Sequence, residues 1–474
     1  MNATSPARTA RTSARTTLAL AGTALAAMLV APSLAALPER YTFTEIGTLG
    51  GPWSNGLAIN NAGVVAGLAD RPDFSSGPFI WSDGIIDEVI GLQGFGVGTG
   101  SALAINNLGQ VVGYSHTPAP NFPGTVGHAF LARDGQAFDL EPNTDAASTA
   151  RDINDFGLIV GDGGGGNNVA ALAWSVDGNG QVSRFVLNFP GVPGFGRQAN
   201  GVNNSSVIVG GGWMSEPTWA YAAWVLHGPN EPFIILPTLG GRDANAEKIN
   251  DAGVIVGDAQ PAQGFSRAAI WTPIPGTTPT RYTVSDIPLF DAPYDSGEAR
   301  DINSMGMIVG ADLAIATNGV GPKPWVYFNG QKRALEDLVS PEVRAEWTFW
   351  WAMGINDAGQ ITGVAVRNNG DPNDPIGNPG DTRAFILTPA PTNCGPADIT
   401  NTDGDLPGTP DGAIDNGDFA AFFAAFFASP EDPIHTVADL ANTDGELGPD
   451  GVVDNGDFSV FFGYFFVGCG NIPS

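Results

Sequence analysis

The sequence predicts an all-β fold, a seven-bladed β-propeller closed by its N-terminal strand, followed by a small α-helical module with two EF-hand-like calcium loops. Three observations carry this. A ten-residue pattern recurs seven times along the body of the chain. A strand-like segment ahead of the first unit matches the end of a later one. The C-terminal segment holds a second, unrelated duplication.

The seven units are AINNAGVVAG at 58–67, AINNLGQVVG at 104–113, DINDFGLIVG at 152–161, GVNNSSVIVG at 201–210, KINDAGVIVG at 248–257, DINSMGMIVG at 301–310 and GINDAGQITG at 354–363. Their starts lie 46 to 53 residues apart, the length of a four-stranded propeller blade. In each, a short strand ends at an Asn that can hydrogen-bond the turn backbone two residues on. Three residues later a Gly suits a left-handed turn position, except in the fourth unit, where Ser206 predicts a less comfortable turn. A second strand follows. A third is read from PFIW 78–81, HAFLA 128–132, ALAW 171–174, AAW 222–224, AAIW 268–271, PWVYF 324–328 and AFIL 384–387. The fourth is irregular (IIDEVI, QAFDL, VSRFVL, FIILPTL, RYTVSDI, RALEDLV), and the seventh unit has none before the tail. YTFTEIGTLGG at 41–51 matches FIILPTLGG at 233–241, so the N-terminal strand completes the last blade. Ring closure removes exposed strand edges.

These features resemble bacterial extracellular proteins with HAF-type repeats, carried best by IGTLGG at 46–51, HAF at 128–130 and LPTLGG at 236–241. The resemblance covers residues 41–389 and implies no particular reaction.

Composition narrows the function. Among 474 residues are 65 Gly and 37 Pro, with 43% hydrophobic residues, which suits many short strands joined by turns and is too apolar for a disordered chain. A net charge of -29 argues against nucleic acid, whose binding needs clustered Lys and Arg, and against anionic lipid. Residues 1–35 read as an export signal: Arg8, Arg11 and Arg15, an apolar stretch from Leu18 to Ala31, and the small-residue site Ser33-Leu34-Ala35. The expected location is extracellular or at the cell surface, and no later segment is long and apolar enough to span a membrane. The propeller is expected over 36–392 and the calcium module over 393–474.

Signals for catalysis are few. Four His are present, and no HExxH, GxSxG or CxxC spacing occurs. GDGGGGNN at 161–168 lacks the Lys-Ser/Thr of a phosphate loop and reads as an inter-strand loop. Asp139, Asp152, Asp258, Asp286, Asp301 and Asp312 are the carboxylates from which a glycan-cleaving pair could come. Trp81, Trp174, Trp224, Trp271 and Trp325 fall on the third strand and are expected in the core, whereas EWTFWWAMG at 346–354 places Trp347, Trp350 and Trp351 outside that pattern: on loops they are candidates for stacking on a sugar or partner, and otherwise they add packing at the blade rim. The expectation is a non-catalytic binding protein; the alternative is a carbohydrate-active enzyme, a glycoside hydrolase or polysaccharide lyase, on the same scaffold. Three or more carboxylates beside a Trp in the central pocket would favour the enzyme. A pocket of Asn and backbone would favour binding.

Residues 394–474 carry 14 Asp or Glu and no Lys or Arg. The duplicated DG-x-[IV]-DNGD is followed each time by phenylalanines at i, i+3, i+4, i+7 and i+8 (from Phe419 and from Phe458), one apolar helix face each. A hard cation wants six or more oxygens. Asp411, Asp415 and Asp418, and again Asp450, Asp454 and Asp457, fit the later positions of two calcium loops; Asp398, Asn401 and Asp403, and Asp439, Asn442 and Asp444, are the candidates for the early ligands. This resembles the dockerin module, in particular the planctomycete variety bracketed by Cys-Gly and Gly-Cys, here Cys394-Gly395 and Gly468-Cys469. In an oxidising compartment Cys394 and Cys469 are expected to pair. The resemblance implies two Ca2+ ions and docking to a cohesin-like or other cell-surface partner; a glycan or protein ligand is expected on the propeller.

Overall fold

The computed structural model describes residues 37–390, apart from positions 95, 122, 165–168, 188–193, 216–218, 229–230, 318–319 and 369–381, and beyond them Phe422. Seven four-stranded antiparallel sheets are present, one per sequence unit. The first blade shows the plan: Ser54–Ile59 is innermost, followed outward by Val65–Asp70, Ser76–Ser82 and Ile85–Glu88. Every third strand lies where the apolar runs put it.

The seventh blade takes its outer strand from the other end of the chain. Tyr41–Ile46 pairs antiparallel with Thr382–Pro389, Tyr41 opposite Pro389 and Ile46 opposite Ala384. The matched TLGG motifs have matched geometry: Thr48 Oγ1 donates to the Gly51 carbonyl at 2.8 Å and Thr238 Oγ1 to that of Gly241 at 2.8 Å.

Alternation along each strand sends apolar side chains between neighbouring blades, so the core is a series of seven clusters. Trp174, Trp224, Trp271 and Trp325 are fully buried there, as expected, while Trp81 is only partly covered. The turn reading also holds. Ser206 has φ +60°, the left-handed conformation that Gly supplies in the other six turns. Two fourth strands depart from expectation: within FIILPTL only Ile234–Ile235 is strand, and RALEDLV gives way after Gln331–Ala334, where Leu335 and Leu338 turn inward on a 3-10 turn, Leu335–Leu338. A short helix, Pro341–Glu346, follows, with Ser340 as its N-cap.

The signal segment, the cysteines and the twelve proposed calcium ligands lie outside the described residues. Phe422, one of the phenylalanines assigned to a helix face, is helical and fully buried.

Candidate functional site

The repeated asparagines do more than cap their own turns. Each Oδ1 accepts the backbone N–H four residues on, as from Val64 to Asn60 at 3.0 Å. Each Nδ2 donates to the backbone carbonyl of the equivalent Asn in the next blade. The bonds run Asn60 to Asn106 (3.1 Å), Asn106 to Asn154 (3.0 Å), Asn154 to Asn203 (3.0 Å), Asn203 to Asn250 (3.1 Å), Asn250 to Asn303 (3.1 Å), Asn303 to Asn356 (3.0 Å) and Asn356 back to Asn60 (2.9 Å). All seven side chains are buried. The circle is closed.

A second circle lies one residue further along. Backbone N–H groups of Asn61, Asn107, Asp155, Asn204, Ser304 and Asp357 each donate to the side-chain oxygen of the corresponding residue in the next blade, at 2.8 to 2.9 Å. It breaks between Asp251 and Ser304, where serine has no Oδ1 to offer. Replacing Asn303 by Ala removes both a donor and an acceptor and strands two buried backbone groups, so it is expected to cost about 3 kcal/mol in chemical denaturation. Asn61→Ala, on the exposed circle, should cost under about 1 kcal/mol.

These turns surround a cavity of about 210 Å³ on the propeller axis. Its wall also includes the residue before the Ile-Asn pair in five blades, Ala58, Ala104, Asp152, Lys248 and Asp301, and there the blades differ. Asp152, Lys248 and Asp301 come together: Lys248 Nζ lies 2.7 Å from Asp152 Oδ1, and its charge acts on Asp301. Both carboxylates also reach across to the following blade. Asp152 accepts Val202 N–H at 2.9 Å and Asp301 accepts Ile355 N–H at 2.9 Å. Burial nevertheless pushes Asp301 up to about 6, against the opposing pull of Lys248. Asp155, Asp251 and Asp357 line the rim and are bonded by neighbouring asparagines.

A β-bulge sits beside this position in every inner strand, for example between Ala150 and Asp152. It adds Arg151, Glu247 and Arg300 next to the axial charges. Arg151 pairs with Asp162, and Arg300 pairs with Glu298 while covering the ring of Trp351. Asp258 is pushed up to about 7, first by burial, then by the charges of Glu247 and Glu298.

The structure separates the other candidate carboxylates. Asp139 binds His128 at 2.9 Å, fixing the buried histidine of the HAF segment. Asp312 is fully buried between Lys332, at 2.7 Å, and the indole N–H of Trp325, at 2.8 Å. Asp286 is exposed at the end of an outer strand. The aromatic segment is corrected as well. Trp347, Trp350 and Trp351 lie on the inner strand Trp347–Ile355, not on a loop. Trp347 is 4% exposed and packs with Phe43 in the core, so it has no face for a ligand. Trp351 has Arg300 against it. Trp350 lines a cleft.

The pocket therefore meets both criteria in part. Asn and backbone dominate its wall, carboxylates are present, and no Trp lines it. Lys248, Arg151, Glu247 and Arg300 were not singled out from sequence. Their signal is the pair of variable columns just before Ile-Asn, which read Arg-Asp, Glu-Lys and Arg-Asp in the third, fifth and sixth units.

Fold and site define a seven-bladed β-propeller with a polar axial cavity. No protein-family description and no curated protein matches the chain. Among solved structures it is similar to a fungal alcohol oxidase of the AA5 family in complex with copper (10% identity, 79% of each chain, TM-score 0.40). It is also similar to TolB from Acinetobacter baumannii (11%, 59% of this chain and 63% of that one, 0.35) and to the gluconolactonase XC5397 from Xanthomonas campestris (13%, 59% and 89%, 0.31). Likenesses this distant bear on neither ligand nor activity.

Proposed function

We propose that the chain is an exported, non-catalytic binding protein, its propeller presenting a ligand face and its acidic tail docking it through calcium to a partner or cell surface. The observation that supports this most is that the axial carboxylates are engaged in holding blades together. Asp152 and Asp301 each accept a backbone N–H from the next blade, and Asp152 pairs with Lys248, whose charge also acts on Asp301. Glycan cleavage needs two carboxyl groups flanking a free bond, one to donate a proton and one to attack or to activate water. The tail's donor set, Asp and Asn oxygens throughout, fits a hard cation.

A second reading rests on one observation: a carboxyl held near 6, such as that of Asp301, has the proton affinity of a general acid. The experiment is an assay of the mature protein, residues 36–474, on polysaccharides, scored for retention and for release of reducing ends. Retention without release is expected; release abolished by Asp301→Asn would replace the binding reading with the enzymatic one. Calorimetric titration with Ca2+ is expected to give two binding events, each lost in Asp418→Ala or Asp457→Ala. Absence of heat in the wild type refutes the calcium docking.

A further inference from the structure

We propose that the cleft between the sixth and seventh blades is a saccharide subsite, where an uncharged sugar ring stacks on the indole of Trp350. This gives the binding reading a ligand class and a place.

The cleft has a volume of about 170 Å³ and is lined by Tyr294, Lys323, Glu336, Thr348 and Trp350, with Val320–Pro322 as its lip. The inner strand of the seventh blade carries two bulges, one shared by all blades and one between Phe349 and Trp351. The second leaves Trp350 out of the ladder. Phe349 also borders the cleft but is 4% exposed and belongs to the interblade core, whereas Trp350 stays half-buried in the cleft wall. Bulges re-aim single side chains in this way.

Three properties define the ligand. The first is an aromatic face, whose negative π cloud favours the weakly positive C–H face of a sugar ring. The second is unused hydrogen-bonding capacity: among the described residues, neither the Trp350 indole N–H nor the Tyr294 hydroxyl has a partner within the protein. An added Cβ on Gly321 would lie only 4.0 Å from Trp350 Nε1, so a larger residue there would crowd that donor. The third is neutrality. Lys323 Nζ is 2.8 Å from Glu336 Oε1, so the charges cancel while their remaining N–H groups and lone pairs stay available to hydroxyls. A charged uronic acid or amine gains nothing from such a wall. A compact cleft with polar groups facing an aromatic one fits a ring of hydroxyls better than an extended peptide.

The test uses the mature chain and immobilised neutral oligosaccharides of glucose, mannose, galactose and N-acetylglucosamine, with tryptophan fluorescence as a second readout. Wild type is expected to bind at least one series with a fluorescence change. Trp350→Ala should weaken binding by roughly tenfold or more with its melting temperature kept. Trp350→Phe should retain part of the affinity, and Trp213→Ala, 39% exposed on the fourth blade, should bind as wild type. Equal binding by Trp350→Ala, no binding of any neutral series by folded wild type, or preference for a proline-rich peptide would each overturn the subsite. Release of reducing ends with Trp350-dependent binding intact would instead overturn only the non-catalytic reading.

Discussion

Raising the pH from 5 to 8 in the presence of a calcium chelator is expected to lower the melting temperature by several degrees. Burial raises the Asp258 carboxyl to about 7 and that of Asp301 to about 6, both from 3.8. A folded-state pKa above the unfolded one means that the native protein binds more protons across that interval. Stability is therefore fully present below the unfolded pKa and is lost as pH rises through the folded value. At 1.36 kcal/mol per unit, the change from pH 5 costs about 3 kcal/mol through Asp258 and about 1 kcal/mol through Asp301. Glu298 is raised in the same sense, mainly by burial. Burial lowers the pKa of His128, but Asp139 outweighs it and leaves the group above 6.5, which adds stability on the acidic side. Asp258→Asn should flatten most of the profile. A melting temperature that is level or rises between pH 5 and 8 contradicts the assignment.

Deleting residues 37–46 is expected to have the largest effect of any change described. It strips Thr382–Pro389 of its outer partner along the whole register. It also removes Tyr41 and Ile46, which are 4% and 0% exposed, and Phe43, which contacts Trp347, Phe349 and Phe385. The uncovered strand contains Ala384–Leu387, an apolar run with open backbone donors and acceptors, a template for pairing with other chains. Size-exclusion chromatography should find the truncated chain aggregated, and calorimetry should find no cooperative transition at the wild-type temperature. A monomer with unchanged melting would mean that the ring does not depend on this strand.

The blades were legible because each is a local unit: strand, Asn-Gly turn and strand fall within one ten-residue pattern. Closure was legible because TLGG occurs twice and forms the same turn twice. The asparagine's second bond was not, since its acceptor lies 46 to 53 residues away, or 296 for the last. No local pattern states that distance. The axial charges escaped for a different reason. Repeat detection rewards columns that agree, and the column holding Ala58, Ala104, Asp152, Gly201, Lys248, Asp301 and Gly354 is one of disagreement. Trp347 falls outside the third-strand pattern because the seventh inner strand runs nine residues, Trp347–Ile355, against six in the first blade. The aromatic run is that strand's own extension.

Every carboxamide of the inner circle points the same way round the axis, each blade giving to its successor and taking from its predecessor. Chain order has no part in that exchange. A gene opened between any two blades, with the propeller's present ends joined, would encode the same seven handshakes. For this circle the position of the break is arbitrary. The number of blades is not, because an added or missing one would change the angle at which every amide meets its carbonyl.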